Sequence, residues 1–422
     1  MLIEFTVENF RSFRLAQTFS MVASASTEHV VSNTFPSDIK GFGNFLRTAA
    51  VYGPNAAGKT NLLRALQFMQ SLVINSAATT PVAPYLHLPF IFARSNRRKP
   101  SKFSITFAHG PVWYEYGFSM GPERIESEWL IEHVHARGRT IFERTYLSEK
   151  KDYEWNFSPS LKGQKAVWSE ATRPTALFLS TAIQLNSKQL QPIYEWFQKR
   201  LVVVTGVTTF NAGLTLQLLA EPDGKARLLP FLQEADLGIS DIRITREQLP
   251  AGVGYVPVPG PNQILEHDQA TNTFNLVKVT LSHNVVDEKG KQVGLDLSEE
   301  SSGTQVLFRN AGAWLNVIAN GEVLLLDEID TSLHPLLTKF LIQRFHSRSC
   351  NPKNAQLIFT THNTSLLDQM LFRRDQIWFV EKDRSLASKL YPLTDFKPRK
   401  DEDLESWYMR GRYGALPLLS ET

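Results

Sequence analysis

Gly53-Pro54-Asn55-Ala56-Ala57-Gly58-Lys59-Thr60 decides the fold. The spacing is G-x-x-x-x-G-K-S/T. It lies between an apolar stretch (Ala49, Ala50, Val51, Tyr52) and a helical pattern from Asn61 onward, with Leu62, Leu66, Met69 and Val73 on one face. A loop of this kind aims consecutive backbone N–H groups at phosphates, and the following helix adds its positive end. Lys59 then reaches the β- and γ-phosphates, and the Thr60 hydroxyl ligates Mg²⁺. The expectation is a P-loop α/β fold that binds a nucleoside triphosphate, with Gly53 to Thr60 and Asn61 as its nucleotide-binding residues.

Three downstream segments narrow the chemistry. Val323 to Leu326 is an apolar run ending in Asp327 and Glu328, which reads as a parallel strand buried on both faces. Asp327 is expected in the Mg²⁺ shell, and Glu328 beside it to polarise the attacking water. Ser301-Ser302-Gly303-Thr304-Gln305 ends 22 residues before Asp327 and opens a helix with Leu307, Ala311, Trp314 and Ile318 on one face. A hydroxyl- and glycine-rich turn at a helix N-terminus is a second anion site. Gln356 to Thr361 then reads as a strand ending at His362, 35 residues after Asp327. A strand-end histidine can bond a γ-phosphate and the attacking water. Singly, Ser-Gly turns are mostly helix caps and lone histidines mostly structural; the order of all four points to one NTPase site.

That layout resembles ABC-type ATPases, specifically their SMC-like branch. The family signature usually reads Leu-Ser-Gly-Gly-Gln. Here Ser302, Gly303 and Gln305 match, while Thr304 replaces a glycine and Ser301 the leucine. Asp327-Glu328-Ile329-Asp330-Thr331-Ser332-Leu333-His334-Pro335 is similar to the loop that crosses to a partner subunit. Phe5 to Phe13, with Asn9-Phe10-Arg11-Ser12-Phe13, is similar to the opening strand and turn of DNA-repair ATPases of that branch. The resemblance is greatest to bacterial stand-alone SMC-like ATPases of the AAA-family or abortive-infection group. It implies an ATPase using ATP and Mg²⁺, Glu328 and His362 as catalytic residues, and Thr60 and Asp327 at the metal. It also implies a homodimer or higher homo-oligomer, in which Ser302, Gly303 and Gln305 of one subunit close on nucleotide held by the other. Phage defence through a separately encoded effector, a nuclease or toxin, is implied as well.

Composition suits a cytoplasmic enzyme. The chain has 422 residues, a net charge of +3 and one cysteine, Cys350, which excludes internal disulfides and fits a reducing compartment. Glu4 and Glu8 interrupt the N-terminal apolar residues, so no signal peptide is expected, and no run approaches a membrane span. Lys59 and Asp327 are 268 residues apart, more than a compact ABC core needs. The heptads of a long coiled coil are missing. Strand-like alternation from Lys102 to His135, broken at His109-Gly110-Pro111 and Met120-Gly121-Pro122, reads instead as a β-meander. Helical patterns follow at Leu190, Ile193, Trp196 and Phe197 and from Leu228 to Leu237, then a Gly/Pro-rich loop from Leu249 to Asn262. The expected organisation is the first part of an ATPase head over residues 1–100, an inserted α/β lobe with part of the head sheet over 101–295, the second part of the head over 296–395, and a tail over 396–422.

Gln184 is the candidate for the glutamine that couples metal site and lobe in ABC ATPases, ahead of Gln67 and Gln70 on the loop's own helix. Arg11 can reach nucleotide, DNA or a nearby carboxylate. Arg94, Arg97, Arg98, Lys99 and Lys102 form a basic cluster that suits phosphate or an ordinary solvated surface, so nucleic acid stays open as a partner. The rival reading is a genome-maintenance ATPase that binds DNA directly. A self-contained nuclease fits poorly, because only 60 residues follow His362 and their acids form a charge run.

Overall fold

The computed structural model describes residues 1–37, 39–78, 87–134, 137–205, 212–235, 238–249, 264–268, 273–286, 288, 290, 292–331 and 333–417. Most of the stretch read as a loop, 250–262, lies outside them, as do Ser332 and the end of the 228–237 helical pattern. In chain order the chain opens with β1 (Leu2–Glu8), β2 (Gln17–Ser20), α1 (Val30–Asn33), β3 (Thr34–Pro36), β4 (Asn44–Leu46), β5 (Thr48–Tyr52) and α2 (Lys59–Asn75). Next come β6 (Ser101–His109), β7 (Val112–Met120), β8 (Ile125–Val134), β9 (Arg137–Leu147), β10 (Asp152–Phe157), α3 (Lys165–Ala171), α4 (Phe178–Gln184), α5 (Gln191–Glu195) and β11 (Leu201–Val204). Then follow α6 (Gly213–Ala220), α7 (Gly224–Glu234), β12 (Ile239–Gln248), β13 (Ile264–Asp268), β14 (Thr273–Val286) and β15 (Gln292–Asp296). The chain finishes with α8 (Ser302–Asn320), β16 (Val323–Leu326), α9 (Pro335–His346), β17 (Gln356–Thr360), β18 (Ile377–Lys382), β19 (Ser388–Pro392) and α10 (Leu404–Met409).

These elements form two compact units. One comprises Met1–Gly206, Ile318–Ile329 and Leu341–Thr422; the other Val207–Val317 and Asp330–Phe340. The first unit carries two large sheets. One is antiparallel, in the order β10-β9-β8-β7-β6-β1-β2, and its turns fall at the two Gly-Pro breaks of the meander. The other runs β11-β16-β17-β5-β18-β19, parallel except for the β18–β19 pair. Every residue of β5 and β17 is buried, as expected of strands covered on both faces. Helix α2 buries Leu62, Leu63, Leu66, Met69 and Val73 in one cluster with Phe5, Phe103 and Phe118 of the antiparallel sheet and Val51, Leu325 and Ile358 of the parallel one. Burying each such side chain contributes about 1.5–3 kcal/mol, so the loop at the head of α2 sits on a well-anchored helix. The second unit is a four-stranded antiparallel sheet, β12-β14-β13 with β15 on β14, together with α6, α7 and most of α8. Among the described residues no helix is long and apolar enough to cross a membrane.

One buried titrating group ties stability to pH. His346, at the end of α9, shares a 2.8 Å hydrogen bond between its Nε2 and Thr48 Oγ1 on β5. Gln376 donates to the same hydroxyl at 2.7 Å. Burial, and then the nearby Arg47 and His29, push the His346 pKa from 6.5 down to about 3. A folded-state value below the unfolded one gives stability that is complete above 6.5 and is lost as pH falls towards 3. Urea melts at pH 7 and pH 5 should show that loss, at up to about 1.4 kcal/mol per pH unit from this group. His346→Gln should remove that part of the slope.

Candidate nucleotide site

The loop between β5 and α2 is shaped by backbone that side chains would obstruct. Gly53 has φ +155° and Gly58 φ +120°. A Cβ would meet Val380 O at 2.2 Å in the first case and Ser388 Oγ at 2.3 Å in the second. Ala56, exposed at the tip, also has positive φ (+59°). The loop is braced from behind: Ser388 Oγ donates to Ala57 O, and Ser388 N–H donates to Ser12 O at 2.7 Å. Asn61 gives its amide to Ser12 Oγ at 2.9 Å. Gly58 opens α2 without a side-chain cap. The first-turn N–H groups therefore remain for an anion.

Lys59 is buried, and its ammonium donates to Gly53 O (2.8 Å) and Pro54 O (3.2 Å) and contacts His362 Nε2 at 2.9 Å. The cation is thus folded back across its own loop, against the exposed histidine that follows β17. On the other side Thr60 Oγ1 donates to Asp327 Oδ1 at 3.2 Å. Asp327 is buried at the end of β16, where its own N–H donates to Val204 O at 3.0 Å. Glu328, next in sequence, is exposed and has φ +50°, a costly conformation for a side chain larger than glycine. The structure therefore brings together Lys59, Thr60, Asp327, Glu328 and His362, which the sequence spreads over about 300 residues.

Thr360 is the residue missed in the sequence. Fully buried at the end of β17, it donates through Oγ1 to Asp327 Oδ1 at 2.6 Å and accepts from the Glu328 N–H at 2.7 Å. Its carbonyl accepts from the Ile329 N–H at 3.1 Å. One side chain thereby fixes both acidic residues relative to the strand that carries His362. The signal was available: a hydroxyl ending an otherwise apolar run, Leu357-Ile358-Phe359, needs a polar partner when buried.

Other expected residues fare differently. Gln184 is exposed at the last position of α4. That helix begins where Leu177 N–H donates to Ser76 Oγ and Ala77 N–H to Ser180 Oγ, beyond the C-terminus of α2. The 17 residues of α2 span about 25 Å, and Gln184 lies only about 9 Å along α4 from Phe178. Gln184 therefore cannot reach the loop at the other end of α2, which corrects the coupling role expected of it. Gln67 instead accepts from Thr205 Oγ1, just past β11, at 3.0 Å. Arg11 has φ +50° and a buried Nε without a hydrogen-bond partner among the described residues. Burial, and then Arg64, lower its pKa.

In the second unit, Ser301 caps α8, accepting from the Thr304 N–H at 3.2 Å. Ser302 is exposed and Gly303 half-buried. Gln305 Nε2 donates to Ser298 O (3.3 Å) and Glu300 O (2.9 Å), holding the turn shut on itself.

A largely parallel sheet, a phosphate loop after its central strand β5 and two acids at the end of β16, one strand removed across β17, define a P-loop nucleotide-binding domain. Residues 49–368 match the family described as AAA domain, putative AbiEii toxin, Type IV TA system, and the chain belongs to that family. No curated protein matches the chain. Among solved structures, an SMC head bound to the C-terminal winged-helix domain of ScpA is similar at 14% identity and a TM-score of 0.45, covering 93% of this chain and 97% of that one. The SMC head domain from Thermotoga maritima is similar at 13% identity and a TM-score of 0.41, covering 93% and 98%.

Proposed function

We propose that the chain hydrolyses ATP with Mg²⁺ as a homodimeric switch in phage defence and controls a separately encoded effector. The observation that carries the ATPase reading is the convergence of Lys59, Thr60, Asp327, Glu328 and His362 on one glycine-shaped loop. Magnesium, when bound with the nucleotide, would neutralise phosphate charge, with Thr60 and Asp327 holding it. Backbone N–H groups of the loop from Asn55 to Thr60 bind the phosphates, and Lys59 swings from its loop carbonyls to the β- and γ-positions. His362, whose Nε2 contacts the Lys59 ammonium, loses that contact as Lys59 moves to the phosphates, so nucleotide arrival is registered at that histidine. Glu328 takes the proton of the attacking water at its carboxylate. The defence reading rests on the family's toxin–antitoxin description. Plating phage on cells carrying this gene with its neighbours tests it: protection should vanish with Lys59→Ala, and protection that survives would refute an ATP-dependent defence role.

Thr360→Val gives a finer test of the site. The substitution keeps shape but deletes the hydroxyl that holds Asp327 and Glu328. Loss of a hydrogen bond to a charged group costs about 1.5–3 kcal/mol, which corresponds to a fall in kcat of about 10- to 150-fold. KM for ATP should stay near the wild-type value, and Thr360→Ser should recover the rate. Steady-state ATPase assays check all three.

A further inference from the structure

The turn after β1 and the segment before β6 form one basic surface. Asn9 Nδ2 donates to Asn96 O (2.9 Å) and Lys99 O (2.8 Å), Asn96 Nδ2 donates to Asn9 Oδ1 (3.1 Å), and Arg11 N–H donates to Leu88 O (2.7 Å). Both asparagines are buried, so the two segments are pinned together. Arg94, Arg97, Arg98 and Lys99 project from one segment as exposed residues, and Arg14 lies on the other. None of these five has a carboxylate partner among the described residues; the neighbouring ion pair, Lys102 with Glu8, uses neither segment's free cations. Amid them Phe92 is 60% exposed, Ile91 57% and Leu15 68%, and the Phe92 ring meets buried Phe90 edge-on at 5.7 Å.

We propose that this surface docks a single-stranded nucleic acid, with phosphates on the guanidinium groups and an unstacked base on Phe92. Like charges held together without counter-ions repel, and polyanion binding relieves that repulsion with release of condensed ions. Four of the five cations are arginines, whose planar forks match phosphate oxygens bidentately. A duplex keeps its base faces stacked inside and offers Phe92 none, whereas a single strand can stack on an exposed ring. An anionic membrane is the poorer fit, because the apolar side chains sit on two pinned loops rather than along an amphipathic helix. Pinning by Asn9 and Asn96 also lowers the ordering cost of binding. The proposal does not depend on ATP turnover, and its test uses no ATP.

Fluorescence anisotropy with the full chain and labelled oligo-thymidine or oligo-uridine of about 16 nucleotides reads the interaction. Binding should weaken steeply with salt. Arg94→Ala/Arg98→Ala/Lys99→Ala should lower the log–log salt slope by about 2, from about 0.7 per lost phosphate contact. Phe92→Ala should weaken binding about tenfold without changing the slope. All four side chains are exposed, so melting temperatures should stay unchanged. The idea is overturned by absence of binding at about 50 mM salt, by tighter binding of a blunt duplex, or by binding to phosphatidylserine vesicles but not to the oligonucleotides. Equal affinity of the variants and the wild type would overturn it too.

Discussion

Glu328→Gln should bind ATP as the wild type does and hydrolyse it about 10²- to 10⁴-fold more slowly, the usual contribution of a positioned general base. The amide keeps the size and backbone of Glu328, including the N–H donated to Thr360 Oγ1, so nothing in the local geometry need move. Thr60 and Asp327, hydrogen-bonded to each other, are untouched and still offer a metal site. The negative charge and the ability to accept a proton disappear together. The positive φ of Glu328 adds weight to a functional role, since strain at an exposed position persists where the surrounding structure over-determines it. Here Thr360 supplies that constraint on both flanks, through its hydroxyl to Glu328 and its carbonyl to Ile329. Filter binding of labelled ATP and single-turnover hydrolysis separate the two effects. A Glu328→Gln protein that turned over at the wild-type rate would show that the base lies elsewhere.

The phosphate loop, the acidic strand end and the strand-end histidine were legible because each is encoded locally. Glycine at Gly53 and Gly58 answers a steric demand, and continuous apolar runs answer burial on both faces. What was not legible is non-local pairing. Nothing in Leu2–Glu8 announces that its partner is Ser101–His109, so the N-terminal strand and the meander read as separate parts although they share a sheet. The same limit explains Gln184 and Thr360. The sequence around Gln184 carries no sign that α4 docks beyond the C-terminus of α2, at the end away from the loop. Thr360 is one residue of the apolar run from Gln356 to Thr361, and its role exists only because β16 and β17 are neighbours in the sheet.

Ser302→Arg and Lys59→Ala should each abolish turnover alone and restore part of it when mixed. The chain has one phosphate loop and one signature turn, and in the ABC arrangement it resembles these close on the same nucleotide only across a two-fold interface. Lys59→Ala removes the charge that meets the β- and γ-phosphates. Ser302→Arg leaves the loop intact but puts a bulky cation at an exposed turn, which should block closure while sparing ATP binding to the separate chain. A mixed dimer has two composite sites. One combines the Lys59→Ala loop with the Ser302→Arg turn and is doubly defective; the other combines an intact loop with an intact turn. If the two sites fire independently, that second site restores activity, at most to about half the wild-type rate per dimer when every dimer is mixed. ATP should also tighten the dimer by mass action, most visibly in Glu328→Gln, where it is not consumed. Light scattering with and without ATP, alongside turnover of the mixture, decides the matter: a fully active monomer with ATP bound would rule out the composite site.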